Sequence, residues 1–126
     1  MKAPREFQRT VLVCGGRDYD DENTLRALLD HVHANRGIWT ILQGGARGAD
    51  TLAHQWAIAR GVRSLTVPAQ WDKHGRAAGP IRNQEMLNLI NPGYDGVIAF
   101  PGGAGTRNMV DIARDKGFEP LVVTPE

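Results

Sequence analysis

Gly96-Val97-Ile98-Ala99-Phe100, followed at once by Pro101-Gly102-Gly103-Ala104-Gly105-Thr106, combines an apolar run with three glycines in four positions. The run has the length of a buried strand, the glycines break it, and Met109, Val110, Ile112 and Ala113 resume with helical spacing. Strand, glycine turn and helix in this order leave backbone N–H groups uncovered, and the helix dipole adds its positive end near Gly105. A phosphate or a carboxylate fits such a place, although a glycine turn is also simply a compact connection. Two further turns, Gly15-Gly16-Arg17-Asp18 and Gly44-Gly45-Ala46-Arg47-Gly48-Ala49-Asp50, likewise follow strand-like runs and precede helix-like ones. In a parallel sheet all three emerge at the carboxyl ends of the strands, where open α/β folds bind their ligands.

Working outward, Thr10 to Cys14 reads as the first central strand, and Leu25, Leu28, Leu29 and Val32 as the buried stripe of a helix capped by Asn23 or an earlier aspartate. Ile38 to Leu42 and Ser64 to Val67 are the next strands, with a helix between them that places Ala49, Leu52, Ala53, Trp56 and Ala57 on one face. Ala69 to Pro80 is too polar for core and reads as a loop over the rim. A helix follows from Ile81 to Asn91, and Pro120 to Thr124 supplies the last strand. Five strands alternating with four helices predict a three-layer α/β/α Rossmann-like sandwich with a mostly parallel five-stranded sheet. Residues 1–9 read as a polar, solvated N-terminal tail and residues 10–126 as a single domain.

Composition narrows the function classes. No apolar run approaches a membrane span, no signal-peptide core is evident, and the single cysteine, Cys14, suits a reducing cytoplasm and is expected to be buried packing. A formal net charge of +1 gives no broad attraction to nucleic acid. The histidines are scattered, so no metal site and no required cofactor are expected; His31, His33 and His54 are placed on helix surfaces. Serine elbow and Walker patterns are absent. Arg17, Arg47, Arg82 and Arg107 fall in or near the rim, where the guanidinium fork matches phosphate. Asp18 and Asp50 stand at helix entrances, either as caps or as acceptors for a ribose hydroxyl, and Trp71 either stacks on a base or closes the core.

The motifs Gly15 to Tyr19, Gly44 to Asp50, Ala78-Gly79-Pro80-Ile81-Arg82-Asn83 with Met86, and Pro101 to Thr106 together resemble the SLOG superfamily, in its YspA/YpsA-related branch. The resemblance runs from residue 10 to residue 124 and implies a Rossmann-type sandwich. The superfamily includes the Lonely-guy phosphoribohydrolases and DNA-processing protein A. Lonely-guy enzymes carry Pro-Gly-Gly-x-Gly-Thr-x-x-Glu and Arg-Lys-x-x-Met; here Arg82 and Met86 match, Asn83 replaces the lysine, and Met109 stands at the glutamate. A thioether neither accepts a proton nor stabilises an oxocarbenium-like sugar, so whether the chain is an enzyme stays open.

The expected function is binding of a nucleotide or nucleotide derivative, as sensor or carrier, with the phosphate on Gly102, Gly103, Gly105 and Thr106 and Arg82 as counter-charge. Asn83 stands beside Arg82; Gly44, Gly45, Arg47, Gly48, Asp50 and Asp18 are expected on the sugar or base side, and Gly15, Gly16 and Arg17 are expected among the ligand- or phosphate-binding residues. The alternatives are N-glycosidic cleavage of a nucleotide and, third, a single-stranded nucleic-acid-binding module. Relatives suggest a homodimer.

Overall fold

β1 (Thr10–Cys14) takes the centre of the sheet because it is apolar on both sides: Val11, Leu12, Val13 and Cys14 are all buried. The computed structural model describes residues 9–125. Around β1 run α1 (Glu22–Arg36), β2 (Thr40–Gln43), α2 (Ala49–Arg60), β3 (Arg63–Thr66), α3 (Trp71–His74), a 3-10 turn (Gly75–Ala77), α4 (Ala78–Leu87), β4 (Gly96–Ala99), α5 (Ala104–Asp115) and β5 (Leu121–Val122). The strand order is β3-β2-β1-β4-β5, every pair parallel. This is the Rossmann-like α/β architecture predicted from the alternation of runs.

Alternation along the strands divides the core in two. Val11, Val13, Ile41 and Ile98 pack with Leu25 and Leu29 of α1 and Ala49, Ala53 and Trp56 of α2. Leu12, Cys14, Leu42, Val97 and Ala99 pack with Met86 and Leu87 of α4 and Met109, Val110 and Ala113 of α5. Each fully buried Leu, Ile or Val contributes about 1.5–3 kcal/mol relative to exposure, which makes these two layers the main source of stability. The first three strands are wound on the α1/α2 face; the chain then crosses to lay β4 against the free side of β1. β1 and β4 are therefore neighbours whose following helices depart to opposite faces.

Local signals set the ends. Asp21 caps α1, its carboxylate accepting from the Thr24 N–H at 3.1 Å and the Thr24 hydroxyl at 2.6 Å. Gly37 closes that helix with φ 73°, and Gly61 closes α2 in the left-handed region with φ 68°. Between the two helices Asp30 accepts from Trp56 Nε1 at 2.9 Å and from Arg60 Nε and Nη2 at 2.7 and 2.8 Å. The Arg60 hydrogen bond, then that of Trp56, pulls the Asp30 carboxyl from 3.8 down to about 2. A depressed carboxyl contributes stability that is complete above its unfolded value and is lost as pH falls through the folded one. Asp30→Asn is therefore expected to flatten the loss of stability between about pH 4 and pH 2, measured as urea midpoints; an unchanged slope would remove Asp30 from the acid transition.

Several expectations from sequence are corrected. Ile38 precedes β2 because its N–H is held by His33 Nδ1 at 2.9 Å. His33 is consequently not a surface histidine; it is half-buried, with its ring edge-on to Trp56 at 5.6 Å. Ala69 to Pro80 is largely helical, and α4 begins at Ala78, three residues before the predicted Ile81, because Pro80 in a first turn forfeits no helical hydrogen bond. That helix ends at Leu87 and gives way to turns. β5 is reduced to two residues on an exposed edge, preceded by Pro120, which has no N–H for the ladder. Arg9, placed in the tail by sequence, donates from Nε to the Tyr94 carbonyl and from Nη1 to the Arg36 carbonyl, each at 2.7 Å. The remainder of the tail, residues 1–8, lies outside the described residues, as does residue 126. Among the described residues no helix is long and apolar enough to cross a membrane.

Candidate functional site

Where β1 and β4 part, the first and third glycine turns touch before their helices diverge. The Gly16 N–H donates to the Pro101 carbonyl at 2.9 Å. A Cβ on Gly102 would lie 2.6 Å from the Gly16 nitrogen and 3.0 Å from the Gly15 carbonyl carbon, and one on Gly15 would lie 2.6 Å from the Ala49 Cβ. The second turn joins them: Ala49 N–H donates to the Gly16 carbonyl at 3.2 Å, and a Cβ on Gly48 would strike the carbonyl oxygens of Gly16 and Arg17. Gly15, Gly16, Gly48 and Gly102 are thus glycines because three backbones cross there.

Gly103 and Gly105 differ, since a Cβ on either would meet nothing within 4 Å. They open onto a cavity of about 370 Å³ at the carboxyl ends of β1 and β4, with Cys14, Gly15 and Gly16 on one wall and Gly103, Gly105 and Thr106 on another. Arg17, Arg82, Asn83, Asp50 and Trp71 complete it. Among the described residues no side chain caps the start of α5, whose first turn lines this space through Gly105 and Thr106. Asp18, Arg47, Gly44, Gly45, Gly48 and Gly102 do not line this cavity. Asp18 and Gly102 border a cleft on the far side of the Gly16–Pro101 contact, while Gly44, Gly45 and Arg47 line a second hollow.

Two side chains organise the middle of the site. Asp50 is buried and folds the second turn, its Oδ2 accepting from the N–H groups of Gly44 and Ala46, both at 3.2 Å. Burial pushes its carboxyl up, with those hydrogen bonds and the Arg82 charge opposing. Arg82, half-buried on α4, donates from Nη1 to the Gly44 carbonyl at 2.8 Å and from Nε to the Asn83 side-chain oxygen at 3.1 Å. Burial lowers its basicity, and the nearby Asp50 charge opposes that. Both shifts point the same way: desolvation outweighs the attraction between the two charges, and among the described residues the guanidinium hydrogen-bonds to neutral acceptors.

The other predicted residues separate into structural and accessible ones. Asn83 is buried and ties α4 to α5, donating to Asn108 Oδ1 at 3.0 Å and the Gly105 carbonyl at 3.3 Å. Cys14 is buried, with its thiol pushed up to about 12 chiefly by burial, so no thiolate is available as a nucleophile. Asp18 caps no helix, that place being taken by Asp21; it pairs at 3.3 Å with Arg47. Trp71 is 48% exposed, which excludes closing the core, and the Arg17 guanidinium lies 5.4 Å from its ring centroid. Arg107 is exposed on α5 and lines none of these hollows. Met109 is fully buried in the α4/α5 layer and does not reach the cavity. Sequence reasoning passed over Gln43, whose side chain accepts from the Gly45 N–H and donates to the Thr66 hydroxyl, both at 2.6 Å. Its signal was a polar residue ending an apolar strand. Among the described residues no cluster of three or more metal-ligating side chains occurs.

Comparison with known proteins places this geometry among relatives. The profile of the YspA, cpYpsA-related SLOG family matches residues 9–74, which include the first two glycine turns. The Gene 61 protein of Mycobacterium phage D29 is 37% identical over 118 residues, covering 87% of this chain and 92% of that protein. The X-ray structure of DNA processing protein A (DprA) from Streptococcus pneumoniae aligns with a TM-score of 0.72 at 16% identity, over 97% of this chain. The present chain spans 52% of that structure, and the likeness concerns the fold.

Proposed function

The chain belongs to the YspA, cpYpsA-related SLOG family, and from that premise we propose that it binds a nucleotide or nucleotide derivative as a sensor or carrier. The observation carrying this reading is the cavity between the uncapped start of α5 and Arg82, whose half-buried guanidinium hydrogen-bonds, among the described residues, to two neutral oxygens and makes no direct ion pair. A phosphoryl group would receive the α5 N–H groups and the dipole from one side and a charged fork from the other. Trp71, half-exposed at the margin, offers a face for a base. Hydrolysis is the weaker reading, because the position at which Lonely-guy enzymes carry their glutamate is sealed in the core.

Native mass spectrometry with a panel of nucleoside phosphates and dinucleotides tests the reading and counts subunits, for which two copies are expected. An intact nucleotide retained on the protein supports binding; release of free base moves the chain to the enzyme class. Absence of any nucleotide complex, with capture of single-stranded DNA instead, would overturn the proposal in favour of a nucleic-acid module.

Gly105→Ala separates binding from folding. The added methyl has free space and improves the helix by up to about 1 kcal/mol, yet it stands on the cavity wall. The expected result is an equal or higher melting temperature together with weaker nucleotide binding by calorimetry. Undiminished affinity would place the phosphate elsewhere.

A further inference from the structure

Beside the first cavity lies a second hollow of about 340 Å³, lined by the Gly44 to Arg47 turn and sharing Arg17, Ala46, Trp71 and Arg82 with its neighbour. Three arginines border it and no aspartate or glutamate does. Asp50 lies near enough to act on Arg82 and Arg17 through its charge, but among the described residues neither arginine makes a direct ion pair with it. Arg82 is engaged by the Gly44 carbonyl and the Asn83 amide oxygen. Arg17 lies on the face of Trp71 and, among the described residues, pairs with no carboxylate. Arg47 holds Asp18, but both side chains are exposed, at 77% and 95%, so water competes for the pair and an incoming anion can replace it.

An uncharged sugar or base does not account for this arrangement. Guanidinium groups can also donate to ring nitrogens and hydroxyl oxygens, but hydroxyl protons and base N–H groups need an acceptor, and here Asp50 already spends its Oδ2 on the turn N–H groups. Three guanidinium groups lining one hollow suit a phosphoryl oxygen set. Resting on the nucleotide reading above, we propose that the ligand carries a second phosphoryl group, seated at the Gly44 to Arg47 turn, with Arg17 spanning the two hollows along Trp71. One phosphoryl group then faces the start of α5, the other faces Arg47, and Arg82 stands between them. This reassigns the second glycine turn from the sugar side of the ligand to an anion site.

The test is calorimetric titration of the full chain with adenosine 5′-monophosphate, adenosine 5′-diphosphate and adenosine 3′,5′-bisphosphate, and with the matching guanosine set, for the parent and Arg47→Gln. At least one two-phosphoryl compound is expected to bind about tenfold or more tightly than the monophosphate of the same base. In Arg47→Gln that ratio should fall towards one while the melting temperature stays with the parent. Equal affinities for one and two phosphoryl groups would overturn the inference and leave the nucleotide reading standing, as would a ratio that survives Arg47→Gln. Failure of every compound to bind would instead bring down the nucleotide reading itself.

Discussion

Gly48→Ala is expected to cost about 4 kcal/mol of folding stability, lowering the melting temperature by roughly 10–20 °C. Gly48 has φ 81° and ψ −128°, a region closed to residues with a side chain, and its missing Cβ leaves the room occupied by the Gly16 and Arg17 carbonyls. Both partners are backbone, held in place by the Gly16–Pro101 and Ala49–Gly16 hydrogen bonds, so neither yields cheaply. Gly61→Ala is the control. It too has positive φ, 68°, but a Cβ there meets nothing within 4 Å, and a cost of only about 1–2 kcal/mol is expected. Thermal unfolding of the two variants side by side checks the argument: equal losses would show that conformation alone, rather than the crossing of the loops, constrains Gly48.

Met109→Glu is expected to lose about 4 kcal/mol and to gain no hydrolytic activity. The side chain is fully buried among Leu12, Leu42, Met86 and Ala113, so the new carboxyl enters hydrocarbon. Burial would raise its pKa above the unfolded value. A raised carboxyl favours the folded state only at low pH, so the deficit should be smallest below about pH 4 and should grow as pH rises through the folded value. Urea midpoints across pH measure it, and an assay for free base tests the chemistry. Parent-like stability together with base release would mean that α5 presents position 109 to the cavity, contrary to the packing described.

How far the sequence carries can be seen at particular residues. The strands with both faces buried are continuous apolar runs, and those of β1 and β4 come within a residue of their predicted ends. Gly37 and Gly61 stop their helices where composition says they should. Ala69 to Pro80 misleads because its polar residues cover an exposed helical connection, where no apolar stripe is needed to hold the helix. At the rim the glycines are legible as a class, but their division is not. Gly15, Gly16, Gly48 and Gly102 make room for neighbouring backbones while Gly103 and Gly105 face open space, and that distinction depends on which loops approach one another across the sheet. Asp50 likewise reads as a helix-entrance acid; only the fold shows it bent back onto Gly44 and Ala46.

The seam between β1 and β4 pairs Val11 with Gly96 and Cys14 with Ala99, joining an early part of the chain to a late one. The cavity stands at the end of that seam, one wall from each side. Neither half alone supplies both walls, so any ligand bound there would be thermodynamically linked to closure of the seam and would draw the folding equilibrium with it.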